Sequence, residues 1–244
     1  LYGSSKGTAY LFDKKLYARR ADMLNTLGLV FGFSLRYAAE KGDALKLFQD
    51  RLNFAISLYP NHVDFPQLEG EEPAKPTATF STQDIAHARQ AAFACSVFYS
   101  AGRAVPWFLA VLAPLKMSAS RFFQDFAEWQ QLNNCGPESG WQAEKARHED
   151  IEKMQLAFLR FKYEEKGKEP LFAAVTDIVR LNGAMARCAG EGEESRLVLQ
   201  YNPDDLLSPV ALDIARFSDS VCMEDMRIRV YYDEERGVDW KAEP

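Results

Sequence analysis

Apolar positions recur at helical spacing through most of the chain. From Thr8, a suitable N-cap, to about Glu40 they fall at Leu11, Phe12, Leu16, Met23, Leu24, Leu27, Val30, Phe31 and Leu35, which predicts a first helix with one apolar stripe. Gly28 and Gly32 stand four apart within it, a spacing that suits either close contact with another helix or a break near Gly28. Leu45, Phe48, Leu52 and Ile56 share one face of a second helix over 43–58, which Pro60 ends. Ser81 with Asp84 three residues on predicts the start of a central helix that turns Ile85, Ala88, Ala92 and Phe93 inward.

That helix runs into residues 90–115, QAAFACSVFYSAGRAVPWFLAVLAPL, where Arg103 is the one formal charge in 26 residues. A helix without a polar face is buried on all sides. The two uncharged runs flanking Arg103 are each too short to span about 30 Å of hydrocarbon, and joined they would set Arg103 near the middle with Pro106 after it. Two consecutive buried helices meeting near Gly102–Pro106 are therefore expected, and no membrane span. Arg103, a buried charge in this reading, must find a carboxylate or several carbonyls.

Ser118 or Ser120 opens a further helix through Phe122, Phe123, Phe126, Trp129 and Leu132, and NNCGPESG at 133–140 reads as a turn. Ile151, Met154, Phe158 and Phe161 form the stripe of a helix over 141–166, with Glu149 and Lys153 paired on its outer face. Pro170 begins the next, which runs towards Gly183 or Gly190. After Glu194 the period changes: RLVLQY at 196–201 and MRIRVYY at 226–232 alternate like strands, with a short helix opened by Ser208 and Pro209 between them. The expected fold is mainly α, a multi-helix single domain over 1–244 with a small C-terminal β element, a two-stranded sheet. The loop at 60–80, with Pro60, Pro66, Pro73 and Pro76, is the best sub-boundary.

Charge sharpens this picture. The chain's net charge is −6, which disfavours duplex DNA as a partner of the whole molecule. Residues 1–36 nevertheless carry Lys6, Lys14, Lys15, Arg19, Arg20 and Arg36 against Asp13 and Asp22, whereas residues 204–244 carry eleven acidic and five basic side chains. Ends of opposite sign attract within one fold or between copies. The four cysteines show no CxxC spacing, and so sparse a set fits reduced thiols in an intracellular, cytoplasmic setting.

Candidate chemistry is thin. The segment 3–8, GSSKGT, has its lysine before the second glycine, which is not the order of a phosphate-binding loop, so no nucleotide site is expected there. Glu144, His148 and Glu152 lie four apart, but no second helix supplies the Glu-x-x-His partner of a carboxylate-bridged metal site, and the neighbouring Lys145, Arg147 and Lys153 favour a solvated face. Asp84, His87 and Cys95 cannot converge on one helix, which favours a buried thiol over a nucleophile. No catalytic residue, metal site or cofactor is expected.

The set that best suits a partner is Lys14, Lys15, Arg19 and Arg20 interleaved with Tyr10 and Tyr17. It fits single-stranded nucleic acid, through phosphate contacts and stacking, or an acidic protein surface such as another copy's C-terminal region. The expected function is a non-enzymatic assembly or scaffold protein of coat or nucleocapsid type, capsid-like in self-assembly, with itself as partner. A single-stranded RNA binder and a helical enzyme with a carboxylate-based site are the alternatives.

Overall fold

The computed structural model describes residues 4–6, 9–68 and 73–244, and the side chains of these except at 4–6, 9–11 and 144. The chain is mainly helical, with a small antiparallel three-stranded sheet near the C-terminus. In chain order, β1 (Ser4–Lys6) and β2 (Ala9–Leu11) precede α1 (Lys14–Thr26), β3 (Gly32–Ser34), α2 (Leu45–Ile56) and β4 (His62–Asp64). Then come α3 (Thr82–Cys95), a π-helical turn (Ser96–Ala101), α4 (Phe108–Leu112), α5 (Ala119–Leu132), α6 (His148–Glu165) and α7 (Phe172–Glu191). The last elements are β5 (Ser195–Leu199), α8 (Pro203–Leu206), α9 (Ile214–Ser220), β6 (Met226–Asp233) and β7 (Gly237–Glu243).

Contacts gather the chain into two compact units. One holds the residues up to Ala101 together with Met117–Glu144; the other holds Gly102–Lys116 and Lys145–Pro244. The chain therefore crosses between units at 101/102, within the apolar stretch 90–115, and again at 116/117 and 144/145. The proline-rich loop belongs to the first unit, where Phe65 and Phe80 are buried and the Thr79 hydroxyl donates to the Asp43 carbonyl at 2.6 Å.

In the first unit α2, α3 and α5 pack on one another around Phe48, Leu52, Phe98, Phe122 and Phe126. Ser81 caps α3 in a capping box with Asp84, and Ser118 caps α5, as their spacing predicts. Phe98 lies edge-on to Phe122 at 4.9 Å and to Phe126 at 5.0 Å. The π-helical turn after α3 holds β4: Tyr99 donates to the Pro60 carbonyl at 2.8 Å, and Ser100 Oγ accepts from Val63 N at 3.0 Å. β4 in turn pairs in parallel with β3, Phe33 opposite Val63.

The predicted helix from Thr8 to Glu40 is much shorter. Thr8 lies outside the described residues, β1 pairs with β2, and α1 starts only after Asp13, whose Oδ1 accepts from Leu16 N at 3.0 Å. It ends at Gly28, whose φ of +64° is the left-handed conformation that terminates helices at little cost only for glycine. The break, and not the close helix contact, is realised, and Gly32 falls in β3.

In the second unit α7 packs on α6 and against the sheet β5–β6–β7. The sheet has one strand more than expected, because the Asp233 side chain accepts from Glu235 N and Arg236 N and turns the chain back as β7. The predicted helix over 141–166 begins only at His148. Glu149 pairs with Arg147 at 2.7 Å, so Lys153 takes Asp150 at 2.9 Å, and not Glu149. Helix α7 runs past both Gly183 and Gly190 to a left-handed Gly192. None of the described helices is long and apolar enough to cross a membrane.

Candidate protein interface

Helix α1 is the least covered helix of its length in the first unit. Of its thirteen residues, Ala21 alone is buried. Leu16, Met23 and Leu27 are 42, 55 and 63% exposed, and at i, i+7 and i+11 they fall on one line along the helix. Leu29 and Val30, at 52 and 76%, extend the apolar surface beyond the helix end. The α1 part of the stripe read from the spacing is present, and among the described residues nothing in its own unit covers it.

Of the candidate cations Arg19 and Arg20 flank this stripe, Lys15 lies farther round the helix and Lys14 falls on the opposite face. Lys14, Lys15, Arg19 and Arg20 are all exposed. Lys14 lies over the Phe12 and Phe54 rings at 5.5 and 5.6 Å, which fixes it near the helix start. Among the described residues Lys15, Arg19 and Arg20 make no ion pair. Tyr17 is half-buried, edge-on to Phe33 at 6.1 Å. Tyr10 lies in β2, and its side chain is outside those described.

Beside the stripe Tyr17, Leu24, Phe31 and Phe33 wall a groove of about 260 Å³, with Arg20 at its edge. Its floor is fixed: Phe31 N donates to Asn61 Oδ1 at 3.0 Å, Asn61 N donates to the Phe31 carbonyl at 2.8 Å, and Asn25 donates to the Leu58 carbonyl at 3.1 Å. An apolar side chain from outside can enter this groove while charges pair around it, the arrangement of a buried anchor within a polar rim.

Two polar clusters belong to the second unit. Arg103 is a third exposed rather than buried, with a φ of +49°, and its guanidinium pairs with the Glu191 carboxylate. The carboxylate partner expected for it is thus supplied from α7, 88 positions away. His148 and Glu152, read as a solvated face, are both 91% buried. The reason is Arg187 on α7, which no local spacing reveals: its Nη1 reaches Glu152 Oε2 at 2.7 Å and His148 Nδ1 at 3.0 Å. Arginine can only donate, so Nδ1 accepts, and the ring proton sits on Nε2, facing the Gly102 carbonyl at 3.4 Å. Burial, followed by the Arg103 charge, holds the His148 pKa below its ordinary value. Burial raises Glu152 despite Arg187.

Gly183 makes this contact possible, since a Cβ there would stand 2.0 Å from Glu152 Oε2. The side chain of Glu144 is not among those described. No group of three or more His, Cys, Asp and Glu among the described residues is placed to hold a metal ion. Both His148 ring nitrogens and one Glu152 oxygen are engaged within the second unit.

The enzyme alternative requires perturbed carboxylates in a pocket. Burial raises Asp177 to about 6, but its Oδ2 accepts from Gln200 N at 2.5 Å and Tyr201 N at 3.1 Å, tying β5 to α7. A cleft of about 610 Å³ in the first unit is walled by Val63, Phe65, Phe93 and Val97 with Arg89 and Asp64 as its charged groups. Neither Asp177 nor Glu152 lines it. His87 and Cys95 stand two helical turns apart on α3, and burial pushes the Cys95 thiol well up, away from a thiolate. Compared with known proteins, the chain matches no family model, no curated protein and no solved structure.

Proposed function

We propose that this protein is a non-enzymatic assembly protein, of scaffold or coat type, which joins a protein partner through the face of α1. The observation that supports this reading is the uncovered stripe Leu16, Met23 and Leu27 beside Lys15, Arg19 and Arg20. An apolar line on an exposed helix is a cost to an isolated chain and a gain to an assembled one. The RNA alternative uses the same cations. Its stacking ring, Tyr17, is instead turned against Phe33, and the apolar stripe has no role in binding phosphate.

Sedimentation velocity over a range of protein and salt concentrations tests the proposal. The expected mass rises with protein concentration at low salt and falls as salt screens the cations, because exposed charges interact within about 10 Å at 0.1 M salt. A strict monomer at high protein concentration and low salt sinks it. A labelled single-stranded RNA shifted at low salt by such a monomer would favour the alternative.

A further inference from the structure

We infer that the partner seated on α1 is a second copy of this chain, presenting the acidic strip formed by residues 203–225. The inference rests on the reading of α1 as an interface and adds the identity of what covers it.

The strip runs through α8, a 3-10 turn at Pro209–Leu212, α9 and the loop before β6. Asp204, Asp205, Asp213, Asp219, Glu224 and Asp225 are all exposed on it, and Arg216 is its one cation. Among the described residues none of these six carboxylates forms an ion pair, and Asp213 alone is engaged as a helix cap, accepting from Arg216 N at 3.1 Å. Between them Leu207, Val210, Leu212 and Met223 are 42, 41, 57 and 57% exposed. These are not the side chains that seat the strip in its own unit. Leu206, Ala211, Ile214 and Phe217 are buried and do that.

The strip therefore has the make-up of the α1 face with the sign reversed: apolar side chains at similar exposure, set among charges that form no ion pair among the described residues, Asp213 being occupied as the cap of α9. Lys15, Arg19 and Arg20 meet its carboxylates, and Asp22 on α1 is the counterpart of Arg216. Asp13 is already occupied as the helix cap. The groove walled by Tyr17, Leu24, Phe31 and Phe33 takes one of the strip's apolar side chains. Desolvating both apolar surfaces stabilises the contact, and the opposed fields select its orientation. Since the two surfaces are different, the contact is head-to-tail, and it repeats into a ring or an open chain.

Two variants test this. One carries Arg19→Glu with Arg20→Glu, the other Leu212→Glu with Met223→Glu, and all four positions are exposed. Each alone is expected to lose self-association roughly a hundredfold or more, with its circular dichroism and melting temperature unchanged. Mixed in equal amounts, they are expected to form a 1:1 complex and nothing larger, because one contributes the intact strip and the other the intact α1. Asp204→Lys with Asp205→Lys serves as a second strip variant, expected to dissociate on its own. If the strip variants assemble as the wild-type protein does, or the mixture stays monomeric, the inference is overturned while α1 remains an interface. Wild-type protein that never associates removes both.

Discussion

Replacing Arg51 by methionine is expected to lower the stability of the first unit by about 3–5 kcal/mol, the cost of removing one partner from a buried ion pair. Arg51 and Asp43 are both 1% exposed, and the guanidinium reaches the carboxylate at 2.9 and 3.0 Å. The same guanidinium donates to the Arg36 carbonyl at 2.8 Å. The carboxylate also accepts from Ala38 N at 3.0 Å and Ala44 N at 2.9 Å, and thereby fixes the approach to α2, which lacks a side-chain cap of its own. Removing Arg51 leaves the Asp43 charge buried without a cation. Many buried pairs can be replaced by two apolar residues at little cost. This one is expected to differ, because Asp43→Leu in addition to Arg51→Met leaves two backbone amides without their acceptor. Urea midpoints check both statements. A loss below about 1 kcal/mol for Arg51→Met would show that the pair carries little.

The second large effect falls on Arg187. Replacing it by methionine takes the partner from the Glu152 carboxylate and the donor from His148. The expected loss in the second unit is about 3 kcal/mol at pH 8, and it shrinks as the pH falls. Without Arg187 the already raised pKa of Glu152 rises further. The folded variant then binds a proton over a wider range, and its stability declines as the pH climbs. His148 works in the same direction. Its lowered pKa gives stability present above the ordinary imidazole value and lost as the pH falls, and Arg187 is among the charges that lower it. The variant thus loses less than the wild-type protein on acidification. Here the double replacement Glu152→Leu with Arg187→Met is expected to recover most of the loss, since among the described residues Glu152 caps no backbone amide. A loss that is constant from pH 5 to pH 8 would contradict this account.

These two pairs also show how far local sequence reaches. The caps Ser81 and Ser118, helix α2 and the strands β5 and β6 are legible because their signals lie within a few residues of each other. Asp43 and Arg51 are eight positions apart, but their burial depends on the loop at 36–38. Glu152 and Arg187 lie 35 apart, and the helical spacing of Glu144, His148 and Glu152 says only that they share a face, not that α7 lies against it. Strand β7 does have a local signal, the sequence DEERG at 233–237 followed by alternating Val238, Trp240 and Ala242, which sequence reading passed over. The parallel β3–β4 pair, of three residues each and 30 positions apart, has none.

Helix α1 illustrates the limit most directly. Periodicity identifies Leu16, Met23 and Leu27 as one stripe, and the charge pattern identifies its cations. Neither says what covers the stripe. Among the described residues the fold leaves it bare, and on that the proposal of an interface rests.

The most direct test is hydrogen exchange of the α1 amides at two protein concentrations, with those of α3 as an internal reference. An uncovered helix opens readily, while one held by a partner does not. The account predicts that Lys14–Thr26 exchanges quickly in dilute protein and becomes protected as the concentration rises, with Thr82–Cys95 unchanged. Equal exchange of α1 at both concentrations, in protein concentrated enough to associate, would contradict it.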